Sequence, residues 1–282
     1  MAKRSAPPTK RRRTPRPTAA ASDPPDVSGA TAPPDAGAFL SQVIHHLRAP
    51  VAVSRTMLSL LSQGYAGKMD AQQADLVRRV ELRMAYLQTL IDDLVDLTSI
   101  RSGLGVAGGP TPLDALVHDV CARFEPAARE KGIGLELERP SASVLVSAAA
   151  GVLDPLVTQL VRNAVTYTTS GAVRVSIEFD SRFARLVVSD DGIGIPADDR
   201  ARVFEEFFRA ANAKVLEDLG TGLGLPIVRA AACRAGATIE CSSAEGKGTT
   251  FAVLLPRATA VSKAVAKTAA RGKGARRRWP RS

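Results

Sequence analysis

The chain has 282 residues, 45% of them hydrophobic, and a formal net charge of +10. That is room for two modest domains with filled cores, and no run approaches the eighteen apolar residues of a membrane helix. The basicity sits at the ends: residues 1–17 and 257–282 together hold sixteen Lys/Arg and no acid, leaving residues 18–256 with 22 basic against 28 acidic residues.

The N-terminal arginines lack an apolar stretch behind them, which excludes a secretory signal. Residues 1–36 (KRRRTPRP, then Pro, Ala, Asp, Ser and Gly) read as a disordered basic, Pro-rich tail, and residues 257–282 as a second basic tail. Such tails can touch nucleic acid or an anionic surface weakly; apart from Trp279 they carry no stacking aromatic. Cys121, Cys233 and Cys241 are widely spaced without a CxxC, so they are expected as buried or half-buried thiols of a reduced, cytoplasmic protein. Three histidines without paired metal spacing argue against a structural zinc. No internal repeat is present.

The first ordered element starts near Ala36. Leu40, Ile44, Leu47, Val51, Ser54, Leu58 and Leu61 recur in steps of four and three, the stripe of a helix seam. After the turn-like QGYAGKMD, Val77, Val80, Met84, Leu87, Ile91 and Leu94 repeat the pattern. Residues 37–102 thus predict a helical hairpin, which buries enough surface only by pairing with a second copy in a dimeric four-helix bundle or by packing on its own chain. His45 in IHHLRAP lies about 100° around the helix from Ile44 and should face solvent. Pro50, one turn later, should bend the helix.

Residues 103–112 are rich in Gly and Pro and read as a hinge-like linker. The second domain, 113–256, reads as α+β. A helix from Leu113 is ended by Gly132, and Ile133, Leu135 and Leu137 alternate as a strand. A helix over 154–166 follows, and AVRVSIEF and ARLVVSD form a strand hairpin. That hairpin delivers Asp190 and Asp191 to a turn with Gly192 and Gly194. FEEFFR and a polar loop come next, then GTGLGLPIV, in which Gly220, Gly222 and Gly224 open a helix over 223–232. ATIECSS and TTFAVLLP close the domain as strands. Glycines opening a helix leave N–H groups at the positive end of its dipole, which suits a phosphate chain; the absence of GxxxxGK[ST] excludes a P-loop.

In order and spacing, DDGIGIP, FEEFFR and GTGLGLPIV resemble the first glycine box, phenylalanine box and second glycine box of histidine kinases, the sensors of two-component systems. IHHLRAP resembles their H-box, and QLVRNAVTYT their N-box. The resemblance covers residues 38–256. It implies an α+β chain, a dimeric four-helix bundle followed by an α/β sandwich that binds ATP, and a protein-histidine kinase. His45 would be the phosphoacceptor, with Arg48 matching the motif, and a response-regulator receiver aspartate would accept the phosphoryl group next.

For the nucleotide, the resemblance implies Asn163 as Mg²⁺ ligand, Tyr167 at the border and Asp190 accepting the adenine amino hydrogen. Gly192 and Gly194 would make room for the base. Gly220, Gly222, Leu223 and Gly224 would lie along the phosphates, and residues 209–221 would form a mobile lid. Four positions depart from the family pattern. His46 replaces the acidic base, though a neutral imidazole can accept a proton near pH 7. Ala49 has no group to hold a water for dephosphorylating the partner. Gln159 replaces the first N-box Asn, and Thr166 replaces a Lys, losing a phosphate contact. These departures leave open an alternative, a non-catalytic ATP-binding dimeric scaffold, and the tails a third, a nucleic-acid-associated regulator. No sensory or receiver domain is legible in the sequence, so a signal is expected from a partner protein or the tails, if at all.

Overall fold

Residues 36–103, 108–215 and 220–258 are described by the structure, a computed structural model, with the side chains of 36–45 and 215 outside the description. The two expected tails, apart from Ala36, Arg257 and Ala258, and parts of the expected linker (104–107) and lid (216–219) therefore lie outside the described residues.

The two heptad stripes form α1 (Ala36–Ser62) and α2 (Ala71–Ser102). Arg48 lies opposite Asp92, and Ser62 opposite Glu81, so the helices run antiparallel. Asp70 caps α2 in a reciprocal box: its carboxylate accepts from the Gln73 N–H at 2.8 Å, and the Gln73 side chain accepts from the Asp70 N–H at 3.0 Å. Gly103, left-handed, ends the helix. α1 runs through Pro50 as one helix.

Leu47 and Leu61, both in the predicted seam, stay exposed, as do Val53, Met57, Leu60, Leu76 and Leu82. The lower half of α2 behaves differently. Leu97 and Ile100 are buried in the core of the second domain, against α6 (Gly224–Ala235). The hairpin thus packs on its own chain through one end of α2 and leaves its upper faces uncovered.

A five-stranded sheet, in the order β2-β4-β5-β7-β6, carries the second domain. Its strands are β2 (Gly134–Glu138), β4 (Ala172–Phe179), β5 (Phe183–Asp190), β6 (Thr238–Ser243) and β7 (Thr249–Pro256). Only the β2–β4 pair is parallel. A small second sheet pairs β1 (Thr111–Pro112) with β3 (Leu145–Val146), so the expected linker ends two residues early, where the Thr111 hydroxyl donates to the Ala148 carbonyl at 2.8 Å.

Helices α3 (Leu113–Lys131), α4 (Ala150–Tyr167) and α6 cover one face of the sheet. α4 begins four residues before its expected start and carries Pro155 in its second turn, where the missing N–H leaves the Gly151 carbonyl without its intrahelical donor. Burial alternates along β5: Ala184, Leu186, Val188 and Asp190 point to the covered face. Each fully buried Leu or Val on that face contributes about 1.5–3 kcal/mol relative to exposure. Cys121 is buried and Cys241 half-buried, as expected, but Cys233 lies on the solvent side of α6 and is exposed.

Candidate functional site: a cleft between α4, the glycine loops and α2

The strand period that buries Leu186 and Val188 also places Asp190 inward, at the end of β5. It is 8% exposed, and its Oδ1 accepts from the N–H groups of Gly192 at 2.9 Å and Thr249 at 3.2 Å. Burial raises its pKa above the usual carboxylate value. Its neighbour Asp191 points outward, where the Arg174 guanidinium (2.9 and 3.1 Å) and the Ala172 N–H lower its pKa. Two adjacent carboxylates thus have opposite surroundings, and only Asp190 lines the cleft.

Asn163, Thr166 and Tyr167 line the same cleft from α4, with Gly194 from the first glycine turn and Gly220, Gly222 and Gly224 from the second. Gly222 has φ +73, and a Cβ there would sit 2.7 Å from the Phe207 backbone, whose N–H donates to the Gly222 carbonyl. α6 starts at Gly224 with no side chain capping its N-terminus. Its first N–H groups therefore border the cleft at the positive end of the helix dipole. An uncapped helix end beside a carboxamide, opposite a buried carboxylate, fits a magnesium-bound nucleoside triphosphate.

Two of the expected residues do not line the cleft. Leu223 is fully buried, and its N–H donates to the Thr221 hydroxyl at 3.2 Å, so it is not on the cleft wall. Gly192 is also off the wall, and a Cβ there would lie 2.4 Å from the Tyr167 carbonyl, so its bareness accommodates the end of α4. FEEFFR forms no regular helix. Phe204 packs edge-on against Phe251 with ring centroids 6.4 Å apart, Phe208 lines the cleft, and Glu206 pairs with Arg101 of α2. In the expected lid, residues Ala211–Val215 form a short helix, α5, from which the Asn212 amide donates to the Gly194 carbonyl at 3.0 Å.

His45 belongs to α1, and its side chain lies outside the described residues. His46 is exposed. Arg48 spans the hairpin to Asp92 (2.7 Å), half-exposed, and is not on the cleft. Thr166 leaves its backbone to Lys131, whose ammonium donates to the carbonyls of Val165 (2.9 Å) and Thr166 (2.6 Å).

Asp93 of α2 escaped the sequence reading. It is 1% exposed and accepts from Gln159 Nε2 (2.8 Å), from one Arg162 nitrogen at both oxygens (3.1 and 3.0 Å), and from the Thr221 hydroxyl (2.6 Å). Removing one member of such a buried charged network costs on the order of 3–5 kcal/mol, since the others are left desolvated. Gln159, the unusual N-box residue, thus faces the hairpin. Thr89, one turn before Asp93, lines the cleft itself.

Asp96 sits one turn further along α2, where burial and the charges of Asp93, Asp92 and Asp154, only partly offset by Arg162, push its pKa up to about 6. Its unfolded value is near 3.8. The folded state therefore holds the proton more tightly, and the stability this gives is full below pH 4 and lost as pH rises through 6. Asp96→Asn should be more stable than the parent at pH 7.5 by about 1–2 kcal/mol, the full shift being discounted for partial exposure. The advantage should shrink through pH 5 and vanish below pH 4, and scanning calorimetry across that range checks it.

The cleft and its surroundings define a class: an α/β sandwich built to hold a nucleotide, docked on a helical hairpin. Comparison with known proteins places it further. The His Kinase A (phospho-acceptor) domain matches residues 35–103, and the histidine kinase-, DNA gyrase B- and HSP90-like ATPase family matches residues 150–259. Sensor-like histidine kinase SenX3 of Mycolicibacterium smegmatis is 30% identical over 224 residues, 77% of this chain and 56% of that protein. Sensor histidine kinase AruS of Pseudomonas aeruginosa is 32% identical over 223 residues, 76% of this chain and 22% of that protein. Full-length ShkA, solved in complex with AMPPNP, superposes with a TM-score of 0.59 at 26% identity, covering 79% of this chain and 46% of that one. The chain spans about half the length, or less, of these curated relatives. The chain carries the phospho-acceptor and ATPase domains found in histidine kinases.

Proposed function

We propose that the chain is an ATP-dependent protein-histidine kinase that phosphorylates its own His45 and passes the phosphoryl group to a response-regulator aspartate. The observation that carries this reading is the position of α2. Thr89 forms part of the cleft wall, and the pairings of Arg48 with Asp92 and Ser62 with Glu81 set His45 level with about residues 95–98 of α2. At 1.5 Å per residue, that is about 9–14 Å along the hairpin from Thr89. The acceptor and the cleft therefore share one end of the hairpin.

In this reading Asp190 accepts the adenine amino hydrogen, Tyr167 borders the base, and the first turn of α6 with Gly220, Gly222 and Gly224 faces the phosphates. Asn163 offers a carboxamide oxygen to Mg²⁺, a hard cation that would neutralise phosphate charge. His46, exposed beside the acceptor, takes the imidazole proton. Pairing of two hairpins into a homodimeric four-helix bundle is supported by the apolar residues left exposed on both helices, Met57 and Leu76 among them. A response-regulator receiver and a cytoplasmic location belong to the same proposal. Among the described residues no helix is long and apolar enough to cross a membrane.

The test is incubation of purified protein with γ-labelled ATP and Mg²⁺. The parent should gain acid-labile, alkali-stable label, His45→Ala should lose all of it, and His46→Glu should gain label faster. Nucleotide binding with no label in either the parent or His46→Glu would replace the kinase by the ATP-binding scaffold.

A further inference from the structure

The buried carboxylate of Asp93 lies outside the nucleotide cleft and outside the acceptor helix, yet it holds two residues that line the cleft. Thr221 follows Gly220 in the second glycine loop, and its hydroxyl is the link between two interactions: it donates to Asp93 at 2.6 Å and accepts the Leu223 N–H at 3.2 Å. Thr221 and Arg162 both line the cleft. Arg162 gives one guanidinium nitrogen to Asp93, and Gln159 gives its amide nitrogen. One residue of the hairpin thus fixes a glycine-loop residue and a cationic side chain at the place where the proposed phosphates would lie.

Gln159 shows how closely this junction is built. Its Oε1 is buried without a hydrogen-bond partner among the described residues, and a Cβ on Gly224 would come within 2.9 Å of it. The amide is oriented by Asp93 on one side and closed in by the start of α6 on the other. Further along α2, Arg101 reaches Glu206, and Gly103 abuts the Arg234 guanidinium, where a Cβ would collide. Of these contacts, the one at Asp93 is buried and meets the glycine loop.

We propose that Asp93 is a positioning residue for the nucleotide: by holding Thr221 and Arg162 it couples docking of the hairpin to the shape of the second glycine loop, so that nucleotide binding and hairpin docking reinforce each other. The coupling is reciprocal by thermodynamic necessity. A nucleotide that binds better to the loop held by Thr221 also stabilises α2 against the domain. The proposal rests on the cleft being the nucleotide site.

The experiment uses the full chain and a fluorescent ATP analogue with Mg²⁺. Asp93→Ala and Thr221→Val should each weaken binding by about tenfold, and the double variant should be little weaker than either single one, because both remove the same link. Thr221→Ser keeps the hydroxyl and should restore affinity. Saturating nucleotide should slow amide exchange in residues 89–97 of the parent, an effect absent in Asp93→Ala. Should Asp93→Ala not fold, Thr221→Val measured against Thr221→Ser carries both the affinity and the exchange tests, since it removes the same link from the other side. Parent-like affinity in the folded variants, losses that multiply in the double variant, or unchanged exchange in α2 of the nucleotide-bound parent would overturn the coupling. Failure of the parent to bind the analogue would instead remove the nucleotide reading of the cleft.

Discussion

Gly248→Ala should unfold the nucleotide cleft although the residue does not line it. Gly248 has φ +79, and a Cβ there would lie 1.8 Å from the Asp190 carbonyl oxygen and 3.1 Å from Asp191 Cα. Both are backbone atoms at the end of a central strand and cannot step aside as a side-chain tip can. Relief requires β7 to move away from the end of β5, which breaks the hydrogen bond from the Thr249 N–H to Asp190 and displaces the Gly248 carbonyl that accepts from Ser243 at 2.9 Å. Overpacking and left-handed strain together should cost roughly 3–5 kcal/mol, lowering Tm by on the order of 10 °C and ATP affinity below detection. Gly246 is the control. It lies in the same turn with φ +72, but a Cβ there meets nothing within 4 Å, so Gly246→Ala should cost only the conformational term of about 1–2 kcal/mol and keep nucleotide binding. Equal stability of the two variants by thermal melting would mean that the contact with Asp190 is not what requires glycine at 248.

The elements legible in the sequence were those with a local cause. The period-two alternation of β4 and β5 follows from a sheet with one covered face, and it places Asp190 inward without any knowledge of the fold. Gly132 ends α3 because its left-handed conformation closes the last turn, and its N–H donates to the Ala128 and Arg129 carbonyls. The two-residue strands β1 and β3 have no period to read, and α5 is too short to show one. The heptad stripe was correct as a helix but silent on what covers it: Ile91 and Leu94, read as seam, lie in the stretch of α2 that faces the second domain, while Leu47 and Leu61 stay exposed. Asp93 was illegible for the same reason. An acidic residue in a helix reads as a solvated face, and its partners lie 66, 69 and 128 residues away. The glycines were read as making room for a ligand, whereas Gly192 makes room for the Tyr167 carbonyl, a distinction that only the packing of α4 against the turn reveals.

Asp190→Asn should weaken ATP binding by about 100-fold while leaving the fold intact. The present carboxylate uses Oδ1 for the Gly192 and Thr249 N–H groups, and an asparagine oxygen can accept both. Its amide nitrogen then replaces the second carboxylate oxygen, so a donor meets the donating amino group of adenine. Loss of a charge-assisted acceptor in a buried position is worth about 3 kcal/mol. Guanine presents an acceptor oxygen where adenine presents that amine, so the same variant should narrow or reverse the preference for ATP over GTP. Asp190→Ala should lose both roles, weakening ATP equally and destabilising the chain by about 1–3 kcal/mol through two buried N–H groups left without a partner. Burial raises the Asp190 pKa, so parental ATP affinity should begin to fall on acidification at a higher pH than an ordinary aspartate would dictate, and the Asn variant should lack that component. Titration calorimetry with both nucleotides separates the outcomes. Unchanged ATP affinity in Asp190→Asn would make Asp190 a turn-forming residue only, and the adenine contact would have to be sought elsewhere on the cleft wall.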